Sequence, residues 1–191
     1  MEKTESEEQP SGVPKKAQQE GEIWRRWPWV ERAAWTERML ETLEKGVEGG
    51  KWFRLIDKVW APKNLHAALK RMQSRKGRGE HDRTAVEVFA GRAEKHVQQI
   101  EQELREQRYQ PRAVRRVHIA KPGSSGTRPL GIPTVRDRVV QTALRQVIEP
   151  IFEKEFAAQS YGFRPRRGCK DALRQVQRWL DGGCSWVVDV D

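Results

Sequence analysis

The amino-acid sequence predicts an α+β fold, in which helices lie on both sides of one β-hairpin and a strand follows them. Apolar residues recur at intervals of three and four in several segments, which is typical of amphipathic helices. A β-prone segment and a turn-rich loop lie between residues 113 and 132, and alternating valines indicate a strand at 185–191. Because these elements occur in mixed order, they favour the α+β class over a regular βα alternation.

The N-terminal part divides into a polar tail and a Trp-rich segment. Residues 1–20 are mostly Glu, Gln, Lys, Ser, Pro and Gly, which predicts a disordered tail. Residues 21–60 contain six of the eight tryptophans and are predicted to form a helical N-terminal extension. Clustered tryptophans can stack on nucleobases, but packing is the favoured interpretation. One helix is predicted over Glu31–Lys45, ended by Gly46.

Two helices are predicted before the hairpin. Asn64 is the expected N-cap of the first, whose apolar face consists of Leu65, Leu69 and Met72. A basic, glycine-containing loop follows at 74–79. The second helix is predicted from Thr84 to Arg108, and Pro111 prevents it from continuing.

The predicted hairpin carries two cations beside its loop. Residues 113–119 and 128–132 form its strands, and the Gly/Ser-rich residues between them favour a turn. Lys121 and Arg128 flank this loop. Lysine is a point charge for phosphate and arginine a planar fork that holds phosphate oxygens in pairs. Across a hairpin the two could face one triphosphate, whereas a solvated basic turn is the favoured interpretation of these residues taken alone.

Two further helices are predicted after the hairpin. Thr134 and Asp137 have the spacing of a capping box, which begins a helix that Pro150 is expected to kink or end. The last helix has a predicted apolar face made of Cys169, Leu173, Val176 and Leu180. Between the two helices, residues 160–168 combine aromatics, glycine and three arginines, a composition suited to contact with single-stranded or heteroduplex nucleic acid. A core loop in which Tyr161 and Phe163 are buried is the other interpretation, and both can hold at once.

The predicted final strand holds two acidic residues on one face. Alternation along a strand places Asp189 and Asp191 together, with Val188 and Val190 on the other face. Neighbouring carboxylates are suitable ligands for Mg²⁺, which polymerases use in pairs to stabilise the attacking and leaving oxygens. Taken alone, however, the two acids favour a strand end that reaches solvent.

The charge of the chain favours a nucleic-acid partner. Its net charge is +10, and the basic residues are dense in the second half. No apolar run approaches the roughly 20 residues that a membrane helix needs. Cys169 and Cys184 lack metal-ligand spacing, and the N-terminus does not have the pattern of a secretory signal, so we expect a reduced, cytoplasmic protein.

Residues 128–141 (Arg-Pro-Leu-Gly-Ile-Pro-Thr-Val-Arg-Asp-Arg-Val-Val-Gln) resemble the fingers block of group II intron reverse transcriptases. Residues 149–153 (Glu-Pro-Ile-Phe-Glu) and 160–165 (Ser-Tyr-Gly-Phe-Arg-Pro) follow in the order and spacing of that family. Residues 186–191 (Trp-Val-Val-Asp-Val-Asp) resemble the start of its first catalytic palm block. Residues 52–57 and 109–121 resemble segments nearer the N-terminus. The resemblance covers roughly 35–191.

The resemblance implies a fold and an activity. It implies an incomplete right-hand polymerase, with the helical extension at 21–60 and the fingers and first palm strand at 61–191. The implied activity is that of an RNA-directed DNA polymerase and maturase, working by nucleotidyl transfer with two Mg²⁺ ions. Its implied partners are an RNA template, intron RNA, a DNA primer and deoxynucleotide triphosphates, with no membrane.

The resemblance also implies residue roles. Asp191 is the expected catalytic and metal-binding carboxylate, because the family pattern is Asp, four residues, then an aromatic; Asp189 is the second choice. Lys121 and Arg128 are expected to contact the incoming triphosphate. The residues expected to contact nucleic acid are Arg75, Lys76, Arg78, Arg115, Arg116, Arg136, Arg138, Arg164, Arg166 and Arg167.

Three interpretations of the chain stay open on the sequence alone. The first is a truncated reverse transcriptase, expected to be inactive as written because the Tyr-Ala-Asp-Asp box of the family is not among its residues. The second is a non-catalytic, maturase-like RNA-binding module that assists intron splicing. The third is the product of a degenerate gene or an incomplete sequence.

Overall fold

Helices make up most of the structure, and one antiparallel hairpin lies between them. The computed structural model describes residues 15–46, 52, 54–74, 86–123 and 125–190. The elements are α1 (Lys15–Arg26), α2 (Glu37–Lys45), α3 (Leu55–Trp60), α4 (Pro62–Ser74), α5 (Ala93–Arg105), β1 (Arg115–Ala120), β2 (Thr127–Ile132), α6 (Val135–Glu155) and α7 (Cys169–Asp181). Residues 86–90 are also helical. This combination of helices with a small antiparallel sheet confirms the α+β class.

The N-terminal helices differ from the prediction at their starts. Helix α1 begins at Lys15, inside the segment predicted to be a disordered tail, and residues 1–14 lie outside the described residues. Helix α2 begins at Glu37 and not at Glu31. The reason is Thr36, whose hydroxyl accepts a hydrogen bond from the Met39 N–H at 3.4 Å and caps the helix.

The tryptophans of the N-terminal segment pack against the protein. Trp35 is 1% exposed, and its ring meets that of Trp52 edge to face with centroids 5.4 Å apart. Trp27 and Trp29 are partly buried beside each other, with centroids 5.5 Å apart. The packing interpretation of the tryptophan cluster is therefore confirmed for these four rings.

The hydrophobic core lies where α3, α4 and α5 pack together and against α6. Leu65, Ile100 and Val139 are completely buried there, and Ile23 and Leu40 of the N-terminal segment belong to the same cluster. The core thus continues across residue 60, where the sequence suggests a boundary. The division into 1–20, 21–60 and 61–191 stays a prediction.

Hydrogen bonds attach the N-terminal segment to α6. The Trp35 indole N–H donates to the Gln146 carbonyl at 3.1 Å, and the Lys154 ammonium donates to the Leu43 carbonyl at 2.7 Å. The second bond satisfies a carbonyl in the last turn of α2, which has no helical donor of its own. These contacts join residues more than one hundred positions apart in the sequence and hold α2 against α6.

Asn64 is not the N-cap that the sequence predicted. Helix α4 begins at Pro62, a residue suited to a first helical position, and Asn64 is fully buried within its first turn. The Asn64 side-chain amide donates to the carbonyls of Lys58 at 3.0 Å and Ala143 at 3.1 Å. The residue therefore joins the end of α3 to the middle of α6 instead of beginning a helix.

Two other helix predictions differ from the structure, the first in its interior and at its end, the second only in the alternative that Pro150 ends the helix. The helix expected from Thr84 to Arg108 is interrupted by a turn at 91–92 and ends at Arg105, and residue 84 lies outside the described residues. Helix α6 begins after its predicted cap, Thr134, but continues through Pro150 to Glu155. Pro150 neither ends the helix nor leaves its backbone unsatisfied, because the Gln146 carbonyl accepts from Trp35.

The C-terminal part contains the predicted helix but lacks the predicted strand. The apolar residues of α7 are largely exposed, with Leu173 at 62% and Trp179 at 45%. Residues 184–190 form no strand, since no neighbouring strand within the described residues pairs with them. Among the helices of the described ranges, none has both the length and the apolar character needed to cross a bilayer.

Candidate nucleic-acid interface

The cations of the hairpin lie on its two faces. In the antiparallel register Arg128 lies opposite Ile119, and the Lys121 N–H donates to the Gly126 carbonyl at 3.0 Å. Because alternate residues share a face, Lys121, Arg128 and Arg115 lie on the same side of the hairpin. Arg116 lies on the opposite side. The two residues expected to contact a triphosphate are thus brought to one face.

The hairpin cations are exposed and carry no acidic partner. Arg115, Arg116, Lys121 and Arg128 are all exposed to solvent. Within the described ranges, their side chains make no hydrogen bond and no ion pair. Like charges on one small hairpin repel each other, and anions that bind beside them reduce that repulsion. The hairpin therefore has the electrostatics of a phosphate-binding surface.

One buried carboxylate, that of Asp137, holds both legs of the hairpin at its base. Asp137 is 3% exposed and lies in the first turn of α6. It accepts a hydrogen bond from the Arg112 backbone N–H at 3.2 Å on the incoming leg. On the outgoing leg it accepts one from the Thr134 hydroxyl at 2.6 Å. The Tyr109 hydroxyl donates a further bond at 2.5 Å. The hairpin is thus fixed to the helical core.

The pKa values at this base follow from its contacts. Burial alone would raise the pKa of Asp137, but hydrogen bonds from Thr134, Tyr109 and the Arg112 N–H, together with the charge of Arg136, lower it. Burial and the neighbouring Asp137 carboxylate raise the pKa of the Tyr109 hydroxyl. Asp137 is therefore an anion and Tyr109 a neutral donor at neutral pH.

The Arg136 side chain is mostly buried and is bonded within the protein. Its guanidinium forms an ion pair with Glu103 of α5 and lies 4.9 Å from the centroid of the Tyr109 ring. The Arg136 side chain is only 14% exposed, and its buried Nε has no hydrogen-bond partner among the residues that the structure describes. Arg138, the next predicted contact, is half-buried. The geometry of Arg136 therefore favours a role in joining α5 to α6.

Arg164 anchors the loop between α6 and α7. Its side chain is 6% exposed and pairs with Glu153 of α6 at 2.8 Å. The guanidinium also donates to the carbonyls of Ala157 at 2.7 Å and Ser160 at 2.9 Å, and it lies 5.2 Å from the centroid of the Phe156 ring. These contacts use donors on all three of its nitrogens, so Arg164 shapes the loop from inside.

The other two arginines of the loop differ in their exposure. Arg167 donates to the carbonyls of Ala158 and Ser160 and lies 5.6 Å from the centroid of the Tyr161 ring. Arg166 is exposed, and its side chain makes no hydrogen bond or ion pair with the residues that the structure describes. Of the three predicted contacts in this loop, Arg166 is the one whose guanidinium remains available.

Of the remaining predicted residues, Asp189 alone lies within the described ranges. Asp191, Arg75, Lys76 and Arg78 lie outside the described residues. Asp189 lies in the exposed segment 184–190. Across the described ranges, no group of three or more His, Cys, Asp or Glu side chains is placed to hold a metal ion. These residues alone therefore do not fit a pair of Mg²⁺ ions.

Two residues that contribute to the candidate interface, Asp137 and Phe163, were not recognised as such from the sequence. Asp137 was predicted only as a helix-capping residue, and its link to Arg112 depends on a contact across 25 positions. Phe163 was noted only within an aromatic and basic loop, whereas the structure exposes it completely. A positive φ at Phe163 has no local sequence signal apart from the neighbouring glycine, so only the backbone could reveal it.

Comparison with known proteins identifies the family. The chain is 39% identical over 141 residues to group II intron-encoded protein LtrA of Lactococcus lactis subsp. cremoris, a match that covers 72% of this chain and 23% of LtrA. It is also 39% identical over 144 residues to protein YkfC of Escherichia coli, covering 72% of this chain and 38% of YkfC. A putative COX1/OXI3 intron 1 protein of Saccharomyces cerevisiae is 32% identical over 108 residues, which are 56% of this chain and 13% of that protein. No protein-family model matches the sequence.

These similarities show that the chain belongs to the group II intron reverse transcriptase and maturase family. The chain spans less than two thirds of the length of LtrA or YkfC, since its matches cover 23% and 38% of them.

Proposed function

We propose that this chain is the N-terminal, RNA-contacting part of an RNA-directed DNA polymerase of the group II intron type. The observation that carries the proposal is the exposed hairpin, whose four cations have no acidic partner among the described residues. Asp137 holds both legs of this hairpin, so the backbone that carries these charges is fixed to the helical core. A rigid basic surface suits a backbone of phosphates, whose neutralisation supplies much of the affinity for nucleic acid.

Different cations of this surface have different proposed roles. Lys121 and Arg128, which share one face beside the loop, bind the phosphates of an incoming deoxynucleotide triphosphate. Arg115, Arg116 and Arg166 contact the backbone of template or intron RNA. Arg136, Arg138, Arg164 and Arg167 support these residues from within the fold, and Arg75, Lys76 and Arg78 are proposed RNA contacts on the strength of the family alone.

The catalytic centre of the whole protein is proposed from the family. Asp191, or Asp189 as second choice, supplies one carboxylate for Mg²⁺, and a DNA primer is the strand that is extended. When bound, Mg²⁺ stabilises charge on the transferred phosphoryl group. Since the described residues do not fit the ion pair, what they supply is the binding and orientation of RNA and triphosphate.

A second function, that of a non-catalytic RNA-binding module assisting intron splicing, is favoured by the same hairpin. Its cations can hold RNA without any metal ligand, and the names of two similar proteins of Arabidopsis thaliana describe nuclear intron maturases. Both functions require intron RNA as a partner. They differ in whether Lys121 and Arg128 bind a triphosphate.

The binding of RNA by the purified 191-residue chain tests the shared part of the proposal. A group II intron transcript is titrated at several salt concentrations, with the unaltered chain and with the double variant Arg115→Gln, Arg116→Gln. We expect affinity to fall as salt rises, and the double variant to reduce the slope of log K against log salt by about 1.4 to 1.8, because each phosphate contact contributes roughly 0.7 to 0.9.

Arg105→Gln is the matched control. Arg105 is 63% exposed but lies on α5, where it pairs with Glu101. We expect its salt slope to equal that of the unaltered chain. Binding that does not respond to salt, or an equal loss of slope in the Arg105 variant, would contradict the proposed interface. Binding of a deoxynucleotide triphosphate that Lys121→Ala weakens would favour the polymerase over the splicing module.

A further inference from the structure

The loop between α6 and α7 displays an aromatic ring on a strained backbone. Phe163 has a φ of 58° and is 102% exposed. The left-handed region is unfavourable for a bulky residue, and its cost persists only where the surrounding structure imposes it. Exposing a phenyl ring to water is unfavourable as well. Neither the positive φ nor the exposed ring stabilises the fold, so the position of Phe163 requires another explanation.

The loop is rigid enough to maintain this display. Arg164, the next residue, is buried and bonded to Glu153, Ala157 and Ser160. On its other side Arg166 also has a positive φ, of 59°. The anchored Arg164 thus lies between two left-handed residues whose side chains are both exposed. Phe163 is therefore held in place for contact and is not the tip of an unattached loop.

The surroundings of Phe163 are basic. Residues 157–170 contain four cations, Arg164, Arg166, Arg167 and Lys170, and no acidic residue. Of these, Arg166 and Lys170 are exposed, and their side chains make no contact with an acid within the described part of the chain. The core of a protein–protein interface is depleted of charged residues. An aromatic ring beside free cations suits an unpaired nucleobase and its phosphate better.

We propose that Phe163 stacks on an unpaired base of single-stranded RNA while Arg166 contacts the neighbouring phosphate. This inference rests on the proposed RNA-binding function and adds a base contact to it, since the hairpin supplies charge alone. Stacking requires only the π-face that every base has, so the contact tolerates any sequence but requires the base to be unpaired. Phe163 thus selects single-stranded over double-stranded segments of the RNA.

The test uses the 191-residue chain and a single-stranded RNA oligonucleotide that contains 2-aminopurine, whose fluorescence falls on stacking. We expect Phe163→Ala to weaken binding by about 5- to 150-fold, the range that corresponds to the loss of one base–aromatic stack, and to abolish the quenching. Phe163→Tyr should retain both. The salt slope should stay unchanged in all Phe163 variants, because no phosphate contact is removed.

Two further variants separate stacking from a structural role. Phe163→Gly removes the ring and relieves the positive φ, so we expect weak binding without a lower melting temperature. Phe152→Ala removes a phenyl ring that is 54% exposed on α6 and should bind like the unaltered chain.

Unchanged affinity of Phe163→Ala, while the unaltered chain still binds with a normal salt slope, would overturn the stacking role and leave the hairpin proposal standing. An equal loss for Phe152→Ala would also overturn it. No RNA binding by the unaltered chain would overturn both proposals.

Discussion

The indole N–H of Trp35 donates to the carbonyl of Gln146, the acceptor that Pro150 leaves without its helical donor. In an α-helix the N–H of residue 150 would bond to the carbonyl of residue 146, and proline has no N–H. The N-terminal segment supplies the missing donor from 111 positions away. Helix α6 therefore continues past Pro150 because a different part of the chain completes its hydrogen bonding.

This relationship predicts that the effects of changes at Trp35 and Pro150 depend on each other. Trp35→Phe leaves the buried Gln146 carbonyl unpaired and should lower the free energy of unfolding by about 1–3 kcal/mol, in addition to the loss of packing. In a Pro150→Ala background the alanine N–H can donate to that carbonyl, so the same change should cost less. A double-mutant cycle by urea unfolding measures this coupling, expected at about 0.5–3 kcal/mol.

Trp29→Phe is the control for the cycle. Trp29 is partly buried, and its indole makes no hydrogen bond with the described residues. Its cost should be the same in both backgrounds. Equal costs of Trp35→Phe with and without Pro150 would mean that the indole bond does not compensate for the proline.

Asn64 should be sensitive to loss of its donor group more than to loss of its size. Asn64→Ala leaves the carbonyls of Lys58 and Ala143 without this donor and should cost about 1–3 kcal/mol for each buried group left unpaired. Asn64→Asp preserves the shape but places a carboxylate against the same carbonyls, so it should cost more at neutral pH. Thermal unfolding of both variants measures the order.

The exposed residue Gln98 provides a comparison for the same chemical change. Gln98→Glu on α5 should stay within about 0.5 kcal/mol of the unaltered chain. If neither Asn64 variant lowered the melting temperature, the bonds from the side-chain amide would not be what Asn64 contributes.

Asp137 should make stability depend on pH in the acidic range. Its pKa in the folded chain lies below the ordinary value of 3.8, so its stabilisation is fully present above that value. The contribution is lost as pH falls through the lower, folded-state pKa. The difference in unfolding free energy between the unaltered chain and Asp137→Asn should therefore shrink as pH falls from about 7 to about 2.

Unfolding at a series of pH values measures this difference, and the other carboxylates titrate in both proteins and cancel. Asp171→Asn provides a control on α7, where the half-buried Asp171 pairs with Arg174 and accepts the Gly168 N–H, a bond that the Asn side-chain oxygen can retain. Its effect should be small throughout, as is usual for an exposed ion pair. If the difference for Asp137→Asn grew towards low pH, the folded-state pKa of Asp137 would have to be raised and not lowered.

A change at Arg164 should lower the stability of the fold, whereas a change at Arg166 should weaken RNA binding. Arg164→Ala leaves the partly buried Glu153 carboxylate unpaired and should cost at most about 3–5 kcal/mol of stability, the range for a fully buried charge. Arg166→Gln should change stability by less than about 0.5 kcal/mol, yet weaken RNA binding and reduce its salt slope. Chemical unfolding and RNA titration of both variants test this. If the Arg166 variant were destabilised, or if the Arg164 variant were stable but bound RNA weakly, the roles assigned to the two arginines would be wrong.

Local sequence was sufficient where one short segment contains all the determinants of its structure. The turn residues of 121–127 between two β-prone segments determine the hairpin, and Thr134 determines the start of α6 through a bond within its first turn. Family blocks at 128–141 and 160–165 likewise indicated the family that the relatives confirm. In each case the interacting groups are neighbours in the chain, so their spacing carries the information.

Tertiary structure decided which arginines are available and where helices end. Arg116 and Arg136 are alike in the sequence, but only Arg136 meets Glu103, from which it is 33 positions away. Asn64 does not cap a helix, and its side-chain amide donates instead to the buried carbonyl of Ala143, 79 positions away. Helix α6 continues past Pro150 because Trp35 donates to the carbonyl that the proline leaves unpaired. A buried polar group must find its partner wherever the fold places one. The sequence by itself therefore determined the elements and the family, and only packing determined which charges remain exposed for a ligand.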